Sequence, residues 1–90
     1  MQARMNNPAF INQDAMKALM ALGEASKKGG PPHAVHELLH LPVSQINGCG
    51  VCVDMHAQGM KKAGETDQRL FGLAAWRDTP YFTDAERAAL

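Results

Sequence analysis

The residues best suited to chemistry fall in one short segment, Cys49-Gly50-Val51-Cys52 followed by His56, directly after the turn-forming pair Asn47-Gly48. On a helix, at about 100° per residue, Cys49 and His56 fall roughly 20° apart around the axis, and Cys52 and His56 roughly 40°. All three side chains then share one face. A thiol in the first turn of a helix meets unsatisfied N–H groups and the positive end of the macrodipole, so its thiolate is favoured and its pKa falls. Two thiols at this spacing can pass between dithiol and disulfide, one attacking and the other resolving. Cys52, one turn before His56, is the better placed to have a base at its side.

A carboxylate for that base is available at Glu37. If the segments flanking Gly48 are helices folded back on each other, Glu37 stands about 16 Å from the turn along its axis, His56 about 12 Å and Cys52 about 6 Å. Glu37 therefore meets His56 before it meets Cys52. A relay results in which the carboxylate orients the imidazole and the imidazole takes the thiol proton. On its helix Glu37 shares a polar face with His33, His40, Leu41 and Ser44, and the hairpin works only if that face is covered.

Other chemistries compete for these residues. Cys49, Cys52 and His56 supply three zinc ligands, but no second Cys or His pair stands at finger-like spacing. His36-Glu37-Leu38-Leu39-His40 matches the zinc-protease pattern H-E-x-x-H. It lacks an evident third ligand, has Pro42 two residues later, and sits in a chain too small to build a substrate cleft. The histidines beside Glu37 are read as incidental neighbours, and neither a metal nor a cofactor is expected. Two further readings use the same segment differently. One is a non-catalytic helical oligomerisation module whose cysteines sense redox state or hold zinc; the other is a decarboxylase-like enzyme using Glu37 and His56 without thiol chemistry.

The elements that must position these groups read as helices. Only six residues are Val or Ile and no stretch alternates apolar and polar for long, so strand signals are nearly absent. A first helix starts near Asn12 and ends at Lys27-Lys28-Gly29. A second opens at Pro31-Pro32, with Val35, Leu38, Leu39, Val43 and Ile46 as its core stripe, a kink or break at Pro42, and a stop at Asn47-Gly48. A third runs from Cys49 to Lys62-Ala63 before Gly64, and a fourth from about Thr66 to Trp76. Thr83-Asp84-Ala85-Glu86 spells a capping box for a fifth, inside which the chain stops. The expectation is one helical domain over residues 1–90, truncated at its C-terminal end.

The 90 residues carry nine Lys and Arg against nine Asp and Glu, with a pI near 6.9. No basic cluster exceeds a pair, which argues against nucleic acid and anionic membrane surfaces as partners. No apolar run approaches the roughly 20 residues of a membrane span, and a cytoplasmic location is expected.

The segment from Glu37 to His56, with Glu37 twelve residues before the C-x-x-C and His56 four after it, resembles the core motif of the alkylhydroperoxidase AhpD-like, carboxymuconolactone decarboxylase superfamily. The likeness continues through Ala63-Gly64-Glu65 and Leu73-Ala74-Ala75-Trp76-Arg77 to Phe82-Thr83. It departs at Val51, where the family's best-known peroxidases carry a His, and at Pro42. The resemblance implies an all-α bundle, with about five helices in this chain, completed by assembly into homo-trimers or hexamers. It implies a peroxidase acting on hydroperoxides, with Cys52 peroxidatic, Cys49 resolving, and Glu37 and His56 as the proton relay. It also implies a thiol reductant, such as a lipoylated protein, and no bound cofactor.

Overall fold

A computed structural model describes all 90 residues and contains helices and no strand. It divides into two units, Met1–Pro31 and Pro32–Leu90.

The first unit holds α1 (Pro8–Ile11) and α2 (Gln13–Ser26). Asn12 caps α2 by accepting from the Ala15 N–H at 3.1 Å, as its sequence position predicts. The sequence reading missed α1, although its signals are present. The Asn7 side chain accepts from the Ala9 N–H at 3.0 Å, and Pro8 occupies the first turn, where no N–H is needed. Neither helix buries a residue, and Phe10, Ile11, Leu19, Met20 and Leu22 are all exposed.

The second unit holds α3 (His33–Asn47), α4 (Gly50–Lys62), α5 (Asp67–Gly72), a 3-10 helix (Leu73–Asp78) and α6 (Asp84–Ala89). The turn between α3 and α4 is built by Gly48 in the left-handed conformation (φ 68°), where a Cβ would be strained. The Gly48 N–H donates to the Gln45 carbonyl at 3.2 Å and the Cys49 N–H to the Ser44 carbonyl at 3.1 Å, closing α3. Gly64 (φ 90°) ends α4 in the same way, with the Glu65 N–H on the Met60 carbonyl at 3.0 Å.

The core is Leu38 and Leu41 of α3, Met60 of α4, Leu70 of α5, Leu73 and Phe82. Val53, Ala57, Trp76 and Tyr81 pack against it from partly buried positions. Two sequence expectations fail here. The α3 stripe is turned in part: Leu38 is buried as expected, but Leu41 and Ser44 are buried with it while Val43 and Ile46 are exposed. The reason is tertiary. The packed side of α3 runs through Leu41, about 140° round the helix from Ile46, so the face read as polar is the one α4 covers. Secondly, of the kink or break expected at Pro42, the break does not occur, for the helix continues through it to Asn47. The fourth helix also differs. It becomes a 3-10 segment at Leu73 and leaves helical geometry at Ala75 (φ −113°, ψ 34°), and the chain turns there to bring Tyr81 and Phe82 back onto the core.

Candidate functional site

The turn at Gly48 delivers Cys49 to a position with two functions. Its N–H closes α3, and its sulfur caps α4 by accepting from the Cys52 N–H at 3.3 Å. Cys52 is the third residue of α4 and forms a disulfide with Cys49, with Cα atoms 5.3 Å apart. The pair thus occupies the first turn of α4. No acidic side chain lies in that turn to oppose a thiolate, and the helix dipole favours one on reduction. Both cysteines are half-buried, and Val51 between them is exposed.

One turn further along α4 stands His56, and across from it on α3 stand Glu37 and His40. One ligand-capable atom from each of these three lies within 4.8 Å of the other two. The hairpin arithmetic placed Glu37 against His56, and the fold brings them together. The sequence reading had set His40 aside as incidental, and here the structure differs. The His40 ring lies against that of His56 with centroids 4.7 Å apart, and its Nδ1 is 4.0 Å from Glu37 Oε2. The signal was available, because His40 shares a helix face with Glu37, Leu41 and Ser44. It follows once Leu41 and Ser44 are recognised as the buried side.

Glu37 is bracketed along its own helix. Its Oε1 stands 4.0 Å from Nε2 of the exposed His33, one turn before. The His36 ring stands edge-on to that of His40 with centroids 5.7 Å apart. His36 is not among the groups that converge, so the H-E-x-x-H pair of histidines does not act as a unit. Beside Glu37 a hollow of about 260 Å³ opens between α3 and the end of α4, lined by His33, Leu38, Met60 and Glu65 among others. Its lining is mostly apolar, with Glu37 as one of its few polar groups.

The arrangement sets two imidazoles and a carboxylate on the same helical hairpin as a disulfide at the start of α4. No helix is long and apolar enough to cross a membrane.

Comparisons with known proteins show which family and fold this chain resembles. The model of the carboxymuconolactone decarboxylase family matches residues 13–90. An uncharacterized Bacillus subtilis protein, YdfG, is 38% identical over 80 residues, which make up 89% of this chain and 54% of YdfG. The alkyl hydroperoxide reductase AhpD of Streptomyces coelicolor is 52% identical over 42 residues, covering 43% of this chain and 24% of that one. A crystal structure from Agrobacterium tumefaciens, of a protein of unknown function named as a candidate AhpD antioxidant defence protein, superposes with a TM-score of 0.83. It shares 37% identity and covers 97% of this chain and 59% of its own. The chain thus spans about half the length, or less, of the curated relatives it matches.

Proposed function

The chain belongs to the carboxymuconolactone decarboxylase family, and from that premise we propose that it works as an AhpD-type thiol peroxidase with Cys52 as the attacking sulfur. The observation that carries the reading is the Cys49–Cys52 disulfide in the first turn of α4, one turn from an imidazole that stands with a carboxylate. Decarboxylation alone would leave the sulfur pair without a task.

His56, oriented by Glu37, takes the Cys52 thiol proton, and the thiolate attacks the outer oxygen of a hydroperoxide. The O–O bond breaks, Cys52 becomes a sulfenic acid, and the departing alkoxide receives the proton from His56. Cys49 then displaces the sulfenic hydroxyl as water and forms the disulfide. A dithiol reductant, for which a lipoylated protein is the family's example, returns two electrons and two protons through a mixed disulfide. The Cys52 N–H that points at the Cys49 sulfur stabilises Cys49 as a thiolate, so Cys49 is the better leaving group when the reductant attacks Cys52. Assembly into trimers or hexamers, a cytoplasmic setting and the absence of nucleic-acid partners belong to the same proposal.

The test is peroxide consumption with a dithiol donor. Cys52→Ser should abolish it. Cys49→Ser should stop after one turnover with a sulfenic acid that a dimedone probe captures. Turnover by Cys52→Ser would overturn the assignment, and full activity with both cysteines replaced would favour the decarboxylase-like reading.

A further inference from the structure

The zinc-protease pattern in the sequence pairs His36 with His40, but the donor atoms that converge come from Glu37 and His40 on α3 and His56 on α4. We propose that this triad binds one divalent transition-metal ion of the zinc class, through two imidazoles and one carboxylate, without using the cysteines.

The donor set is right for such an ion. Imidazole and carboxylate are its ordinary ligands, and three protein ligands leave a coordination position open for water. At metal–ligand distances of about 2.1 Å, tetrahedral ligand atoms stand about 3.4 Å apart. Here Glu37 Oε2 and His40 Nδ1 are 4.0 Å apart, and the donor atoms of the triad all lie within 4.8 Å of one another. Closing the site asks for shifts of about 1.4 Å or less at the tips of three side chains. Two helices locked together by the Gly48 turn supply the ligands, so their backbones are already in place.

The surroundings also fit. Metal-bound carboxylates are commonly held at the second oxygen by an outer donor, and His33 stands 4.0 Å from Glu37 Oε1 to do so. His36, edge-on to His40, limits how that ring can turn. All three ligands are half-buried, and Glu37 also lines the hollow between α3 and the end of α4. Glu65, across the hollow, is held by Arg69 and does not compete for the ion.

The binding does not rest on the peroxidase reading, but its consequence for turnover does. An ion on His56 occupies the lone pair that would take the Cys52 proton, so metal binding and peroxide turnover become mutually exclusive.

The experiment is a calorimetric titration of Zn²⁺ into the disulfide-intact protein, with the histidine ring signals followed by NMR. The expected result is one ion per chain, with the His40 and His56 ring resonances moving most. Outer-shell changes alone weaken metal sites 10- to 100-fold, so His40→Leu and His56→Gln should each weaken binding by about 100-fold or more. The Cys49→Ser, Cys52→Ser double variant should bind as the parent does. Absence of one-to-one binding, His40 and His56 signals that stay put, or loss of binding in the double cysteine variant would each overturn the site. The ring signals need no variant, so misfolding of a substituted protein cannot mask the answer. Peroxide turnover with zinc bound, measured separately, then reports on the relay alone.

Discussion

The second unit contains two polar clusters, and they are built in opposite ways. Around Arg69 every group is tightly held. Its guanidinium makes a bidentate pair with Glu86 at 2.8 and 3.1 Å, donates to the Tyr81 carbonyl at 2.6 Å, and bonds Glu65 one turn before. The bond from Arg69 holds the Glu86 carboxyl below the usual range against partial burial, which pushes it up, and the Thr83 N–H lowers it further. Glu37, His40 and His56 come together from two helices, with one donor atom of each within 4.8 Å of the others and Glu37 Oε2 4.0 Å from His40 Nδ1. A polar group with all its bonds made is fixed, and it secures α5 to α6. In the proposed function the groups that converge from α3 and α4 pass a proton, and in the proposed metal site they close on an ion. On those proposals the first network is structural and the second reactive.

The comparison can be broken from the reactive side first. His56→Ala should cut peroxide turnover by about 10²- to 10⁴-fold, the ordinary worth of a positioned base, while unfolding free energy changes by about 1 kcal/mol or less. A large loss of stability with little loss of rate would place His56 in the structural class. Arg69→Met should do the reverse. Its side chain is 21% exposed and that of Glu86 18%, between the surface and buried cases, so urea denaturation should register a loss of about 2 kcal/mol. Turnover per folded molecule should be kept.

A smaller effect lies at the end of the same network. Thr83 accepts from the Glu86 N–H at 3.2 Å while its own N–H donates to Glu86 Oε2 at 2.8 Å, so Thr83→Ala should cost about 1 kcal/mol by thermal or urea unfolding. The smallest effect is in acid. Because the folded state depresses the Glu86 pKa, its contribution is complete above the unfolded glutamate value of about 4.3 and is lost as pH falls through the lower folded value. Stability of the parent should therefore decline more steeply below about pH 4 than that of Arg69→Met, as followed by circular dichroism.

What the sequence made legible follows the same division. The start of α4 at Cys49, its stop at Gly64 and the capping box at Thr83 depend on neighbouring residues only, and each stands where local rules put it. The meeting of Glu37 with His56 needed only the Gly48 turn and the rise per residue. The buried side of α3 needed more. Val43 and Ile46 are as apolar as Leu38 and Leu41, and only the seating of α4 decides which pair is covered. Misreading that side is also what hid His40. The Arg69 network was out of reach for a similar reason: Glu86 is 17 residues from Arg69, and the 3-10 turn after Leu73 brings them together.

The central claim is that Glu37 and His56 act on the Cys52 sulfur. The most direct measurement is the Cys52 pKa, from thiolate absorbance against pH in a reduced Cys49→Ser background, repeated with Glu37→Gln and with His56→Ala. The expected value lies well below the free-thiol figure of about 8.5 and rises in both variants. A value near that of a free thiol, indifferent to both substitutions, would contradict it.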